Sequence, residues 1–173
     1  MKKLFPVLIA SAVAVAGTTT AIAAKPPKPG TAKGAAKALK QHNGSGKGVV
    51  CVRNTRLRAA NEVPASTSTA KGHAQIKVRR DGSIQYKIFV LNRDRETFAA
   101  GHIHEAPAGS VGLVEVTLFA GPETDARHIR LSGTVTATTD PDLGADICAD
   151  PDDYYVNLHT STNPGGAIRG QLG

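Results

Sequence analysis

Three histidines lie in two short stretches of the chain. His102 and His104 stand two residues apart in GHIHE, and His159 lies near the end of YYVNLHT. Residues two apart in a β-strand project from the same face, so His102 and His104 share a face if this stretch is extended. Imidazole nitrogens suit zinc and copper, and three of them leave one coordination position open. The spacing therefore predicts, as one hypothesis, a copper or zinc site formed by His102, His104 and His159.

A hydrogen-bonded network of the same side chains is the competing hypothesis. Asn157 alternates onto the same strand face as His159, and Arg169 lies in the final stretch AIRGQL. A neutral imidazole both donates and accepts hydrogen bonds, so the histidines, Asn157 and Arg169 would hold the terminal strands in register. Any unsatisfied member of such a buried network would be costly. The residue types leave both hypotheses open, together with a third in which the histidines are exposed and have no joint role.

The elements that position these residues are predicted to be β-strands. Residues 74–79 and 84–90 alternate between polar and apolar, and Asp81-Gly82 between them is a strong hairpin signal. Further strands are predicted at residues 113–119, which a turn at Gly121-Pro122 is expected to end, and at residues 129–136. The two C-terminal strands are predicted at residues 156–159 and 167–172. Seven or eight short, regularly spaced strands predict an all-β fold, an antiparallel β-sandwich or Greek-key barrel.

One short helix is predicted within this β-rich chain, from Pro141 to about Ala149. Asp140 is the expected N-cap and Pro141 the first helical residue, while Leu143 and Ile147 are spaced four apart for burial.

The cysteine count predicts one disulfide. Cys51 and Cys148 are the two cysteines of the chain, and an even count in an exported protein favours a bridge over a metal or catalytic role. Closing a loop of about 100 residues stabilises a fold by up to ~4.7 kcal/mol in the loop-entropy model.

The N-terminus has the pattern of a signal peptide. Lys2 and Lys3 precede an apolar run, and Ala21-Ile22-Ala23 offers small residues for cleavage, so residues 1–23 are predicted to be removed. No stretch reaches the ~20 apolar residues of a transmembrane helix. The expected location is therefore the periplasm or the extracellular space of a bacterium.

Residues 24–47 are predicted to be a disordered linker, because they are rich in Lys, Pro and Gly. This segment has six lysines and no acid, whereas from residue 48 onward thirteen Lys and Arg face fourteen Asp and Glu, a formal sum of −1. The positive charge is thus assigned to the linker, which could tether the protein to an anionic surface. A near-neutral globular part at 48–173 without Trp argues against nucleic-acid binding.

Four segments together resemble the CHRD domain, first described in chordin. They are residues 57–64 (LRAANEVP), 101–104 (GHIH), 156–160 (VNLHT) and 163–172 (NPGGAIRGQL), and the likeness covers roughly residues 50–173. The resemblance implies an extracytoplasmic β-rich module and no particular reaction. No catalytic nucleophile motif or phosphate-binding loop is present in the sequence.

The function predicted from the sequence is therefore an exported, non-catalytic binding or structural module that contacts a protein or envelope component. The alternative is a small copper or zinc protein, with redox chemistry like that of superoxide dismutase. His102-Ile103-His104 is similar to the His-Val-His copper strand of Cu/Zn superoxide dismutase, but the bridging histidine and the zinc-loop ligands have no counterpart.

Overall fold

The computed structural model describes residues 48–136, 140 and 142–173. The predicted signal peptide, the predicted linker and His42 lie outside these residues. Eight strands and one α-helix are found in the described part of the chain. They are β1 (Val49–Arg58), β2 (Lys71–Arg79), β3 (Ile84–Leu91), β4 (Phe98–Glu105), β5 (Leu113–Thr124), β6 (His128–Val135), α1 (Leu143–Ala149), β7 (Tyr154–Thr160) and β8 (Ile168–Gln171).

The strands form one antiparallel sheet that curls into a nearly closed barrel. Its order is β5-β4-β7-β8-β1-β2-β3-β6, so β4, β7 and β8 are neighbours although β5 and β6 separate β4 from β7 in the chain. The predicted all-β fold with one short helix is confirmed. No helix among the described residues is long and apolar enough to cross a membrane.

Strict alternation places one face of each strand in the barrel core. On β2 the inward residues are Ala74, Ile76 and Val78, and all three are almost fully buried. The predicted hairpin between β2 and β3 is confirmed, with Gly82 at a φ of 77° that favours glycine. The core therefore follows from the period-two pattern of the sequence.

Two predicted boundaries were wrong. Strand β5 continues through Gly121-Pro122 to Thr124 instead of ending at residue 119, because β5 lies at one end of the sheet order, where a proline without an N–H is tolerated. Helix α1 begins at Leu143 instead of Pro141. The carboxylate of Asp140 accepts a hydrogen bond from the backbone N–H of Asp142, so it shapes the turn before the helix and does not cap it.

The predicted disulfide between Cys51 and Cys148 is confirmed. The two Cα atoms are 5.9 Å apart, and the bridge ties β1 to α1 across 97 residues of sequence. The Arg53 side chain adds to this junction, since it donates a hydrogen bond to the backbone carbonyl of Cys148.

Candidate functional site

The pairing of β4 with β7 brings the three histidines to one face of the sheet. His102 lies opposite Asn157, His104 opposite Tyr155, and His159 opposite Ala100. The intervening residues Ile103, Val156 and Leu158 point into the core and are fully buried. Sheet alternation therefore sends the histidines to the face away from the core.

The three imidazoles converge on one point. A ligand nitrogen from each of His102, His104 and His159 lies within 4.8 Å of the other two, and Nδ1 of His102 is 3.0 Å from Nε2 of His159. Tetrahedral coordination at the usual bond length of ~2.0 Å needs nitrogens roughly 3.4 Å apart. Small side-chain movements would bring the three ligand nitrogens to this spacing.

Hydrogen bonds to backbone carbonyls fix the tautomers of two histidines. Nδ1 of His104 is 3.1 Å from the Gly112 oxygen, and Nδ1 of His159 is 2.9 Å from the Pro164 oxygen. Because a carbonyl oxygen only accepts, each Nδ1 must carry the hydrogen, and each neutral ring then has its lone pair on Nε2. Two lone pairs are thus directed by the backbone, as is usual for histidines that bind metals.

The environment favours the neutral form of all three histidines. Burial, together with the neighbouring His159 and His104, lowers the pKa of His102 to about 4. Burial likewise lowers the pKa of His104 and of His159, although their carbonyl partners oppose the shift. His104 is only 7% exposed, and its Nε2 is buried with no hydrogen-bond partner among the described residues.

A stack of three side chains holds His104 from one side. The rings of His104 and Tyr155 are parallel within 6°, with centroids 4.9 Å apart, and the guanidinium carbon of Arg169 lies 3.3 Å from the centre of the Tyr155 ring. Arg169 donates in turn to the carbonyl oxygens of Ser110 and Pro107 at 2.6 and 3.2 Å. The stack therefore connects the histidines to the loop between β4 and β5.

That loop, residues 106–112, covers part of the outer sheet surface that carries His102, His104 and His159, here called the histidine face. The backbone N–H of Gly112 donates to the Tyr155 hydroxyl at 3.1 Å, while the carbonyl of the same residue accepts from His104. A Cβ atom on Gly112 would lie 1.9 Å from the Glu105 oxygen, so a larger residue cannot occupy this position without displacing the backbone. Gly112 thus lets the loop contact both rings.

A second polar cluster lies beside the stack. Glu62 is 8% exposed, and its burial raises its pKa to about 7, against the opposing effects of Arg169 and a hydrogen bond to Asn157. One Glu62 carboxyl oxygen and the Asn157 amide oxygen are buried without a partner among the described residues. Partial protonation of Glu62 near neutral pH lowers the cost of burying this carboxyl group.

The predicted site residues are therefore placed in two groups. His102, His104 and His159 come together, whereas Asn157 and Arg169 contact Glu62 and Tyr155 respectively and make no hydrogen bond to a histidine within the described ranges. His73 and His128 are exposed, as predicted. Sequence reasoning missed Tyr155 and Glu62 as site residues. Tyr155 was detectable from its spacing of four from His159, whereas Glu62 is joined to the site only by tertiary contacts.

Comparison with protein families gives the identity of the fold. The family model of the CHRD domain matches residues 53–172, which include the histidine face and all of the barrel strands except residues 49–52 of β1. This chain belongs to the CHRD domain family. No curated protein and no solved structure matches the chain. The CHRD match confirms the family resemblance, and it is consistent with a non-catalytic binding or structural module.

Proposed function

We propose that this CHRD protein is an exported, non-catalytic binding module, and that the ligand of its histidine face is a copper or zinc ion. Export is supported by the Cys51–Cys148 disulfide, which requires an oxidising compartment, and by the N-terminal signal-peptide pattern. Metal binding is supported by the geometry of His102, His104 and His159.

The observation that carries the metal proposal is the buried, unpartnered Nε2 of His104. A hydrogen-bonded network explains the contact between His102 and His159, but it leaves this nitrogen as an unsatisfied buried acceptor, which costs about 1–3 kcal/mol. A metal ion between the three rings would satisfy it. The network therefore leaves this nitrogen as an unsatisfied acceptor, whereas the metal site makes it a ligand.

The ligand atoms follow from the hydrogen bonds. Nε2 of His104 and Nε2 of His159 already present lone pairs, and Nδ1 of His102 faces the same point. His102 needs only to carry its hydrogen on Nε2 for its Nδ1 to coordinate. Half-exposed His102 and His159 lie on the solvent side and buried His104 on the inner side, which leaves the fourth position to water or another small ligand.

The test is metal content together with thermal stability. Untagged protein from the periplasm or culture medium should contain copper or zinc near one equivalent, and a chelator should lower its melting temperature, because an ion that binds only the folded state stabilises it. His104→Ala should abolish metal retention.

His73→Ala is the matched control, because His73 is exposed and distant in register from the site. It should retain the ion and respond to the chelator like the natural chain. Protein that stays metal-free after incubation with copper and with zinc, and whose melting temperature a chelator does not change, would rule out the metal site in favour of the network.

A further inference from the structure

The four adjacent strands β1, β2, β3 and β6 contain no Asp or Glu. Their Lys and Arg residues are eight of the thirteen in residues 48–173. The near-neutral sum of the globular part therefore conceals a strong segregation of charge within it.

The strand registers arrange the outward side chains of this surface, the basic face, as a grid of four rows across four strands. The rows, from β1 to β6, are Arg58-Lys71-Leu91-His128, Arg56-His73-Phe89-Arg130, Asn54-Gln75-Lys87-Ser132 and Val52-Lys77-Gln85-Thr134. All sixteen side chains are exposed or half-buried. Strand spacing and rise give the grid dimensions of roughly 14 by 20 Å.

The six Lys and Arg side chains of the basic face are not neutralised. None of them makes a hydrogen bond or an ion pair within the described part of the chain. Arg58 and Lys71 lie directly opposite each other on neighbouring strands. Like charges in this position destabilise a sheet, so folding stability does not account for them.

The shape and chemistry of the basic face suit a chain of sugars. One shallow concavity lies over its first two rows, and a second, which shares Lys71 and Leu91 with the first, extends beyond the first row to Arg93 and Asp94. Phe89 is 49% exposed, and the Arg130 guanidinium lies 5.9 Å from its ring centre, so an aromatic face stands among the cations. Amide and hydroxyl side chains fill most of the remaining positions and can bond to sugar hydroxyl groups.

We propose that the basic face binds an acidic polysaccharide. Six cations spread over a rigid sheet can contact several negative charges of such a polymer at once and attract it over several ångströms. Phe89 would stack against the apolar face of a sugar ring. A membrane surface fits less well, because Phe89 and Leu91 are the one pair of adjacent apolar side chains in the grid and Leu91 is half-buried, so little apolar surface can insert between lipids.

The test is binding of the full chain to dextran sulfate, with uncharged dextran as the matched polymer. Lys71→Gln/Lys87→Gln should bind dextran sulfate about thirtyfold more weakly at low salt. The slope of log affinity against log salt should fall by about two. The double variant Arg80→Gln/Arg127→Gln removes the same charge outside the grid and should bind like the natural chain. All these proteins share the N-terminal lysines, so the difference reports the basic face alone.

Phe89→Ala separates a polysaccharide from other polyanions. It should weaken binding to dextran sulfate severalfold and leave binding to phosphatidylglycerol vesicles and to duplex DNA unchanged. Melting temperatures identify any unfolded variant, and relief of the Arg58–Lys71 repulsion keeps Lys71→Gln folded. Equal losses in the two double variants, or binding to vesicles or DNA without binding to dextran sulfate, would overturn the proposal.

Discussion

At the scale of single residues, the histidine face depends on which atom of each ring is already engaged. Backbone carbonyls accept hydrogen bonds from Nδ1 of His104 and of His159, and this places the lone pair of each ring on Nε2. Tyr155 holds the His104 ring by stacking and holds the loop by its hydroxyl group. Each contact restricts the rotation of an imidazole ring before an ion binds. Less side-chain entropy is therefore lost on binding.

Glu62 makes a pH dependence testable at the same scale. Its pKa is raised from 4.5 to about 7. Between these two pH values the folded state therefore holds a proton on Glu62 that the unfolded state has lost. Its stabilising contribution is complete below pH 4.5 and is lost as the pH rises through 7. Relative to the natural chain, Glu62→Gln should therefore gain about 2–3 kcal/mol in unfolding free energy between pH 4 and pH 8.

Urea unfolding of both proteins at the two pH values measures this gain. Glu123→Gln is the control, because Glu123 is an exposed carboxyl group on β5 and does not contribute to the raised pKa of Glu62. A stability difference between Glu62→Gln and the natural chain that does not change with pH would contradict the raised pKa.

At the scale of elements, loop 106–112 is held to the sheet by side chains of three strands. Arg169 of β8 donates to Pro107 and Ser110, Tyr155 of β7 accepts from Gly112, and His104 of β4 donates to Gly112. The loop and the strands thus position each other. The same loop orients the ring whose Nε2 is proposed to bind the ion.

Replacement of Gly112 tests this coupling. In Gly112→Ala the added Cβ would meet the Glu105 backbone at 1.9 Å, so the loop must move and both of its contacts to the rings should weaken. We expect a destabilisation of about 1–3 kcal/mol and weaker metal retention. Gly165→Ala, whose Cβ would meet nothing within 4 Å, should change neither. Equal metal retention in the two variants would show that the loop does not position His104.

At the scale of the whole molecule, the barrel has two chemically different sides. The three histidines lie on β4 and β7, and the basic face lies on β1, β2, β3 and β6. The disulfide closes a long loop between β1 and α1, and in the loop-entropy model this stabilises the fold by up to ~4.7 kcal/mol. The cysteines must therefore be oxidised for the full stability of the barrel.

Export of the chain is tested by the intact mass of the protein recovered outside the cytoplasm. The mass should correspond to a chain that begins near Ala24, and alkylation should add mass only after reduction. Ala23→Leu disrupts the small-residue cleavage pattern and should leave residues 1–23 attached. Recovery of the natural chain in the cytoplasm with residues 1–23 intact would contradict export.

The sequence by itself determined the strands, the core and the disulfide. Alternation of polar and apolar residues is a local property, so Ala74, Ile76 and Val78 could be assigned to the core without knowledge of their partners. The pairing of Cys51 with Cys148 followed from the count of two. The proximity of His102 and His104 was likewise local, because residues two apart in a strand share a face.

Only the tertiary structure decided which residues surround those histidines. The position of His159 beside them depends on the pairing of β4 with β7, and the contacts of Glu62 and Gly112 depend on loops that no periodic pattern describes. The basic face could not be predicted from the sequence for the same reason. Its cations are spread over four strands from Arg56 to Arg130, and they form one surface only because the register places them in rows. Net charge is a sum over the chain, whereas binding depends on where the charges lie in space.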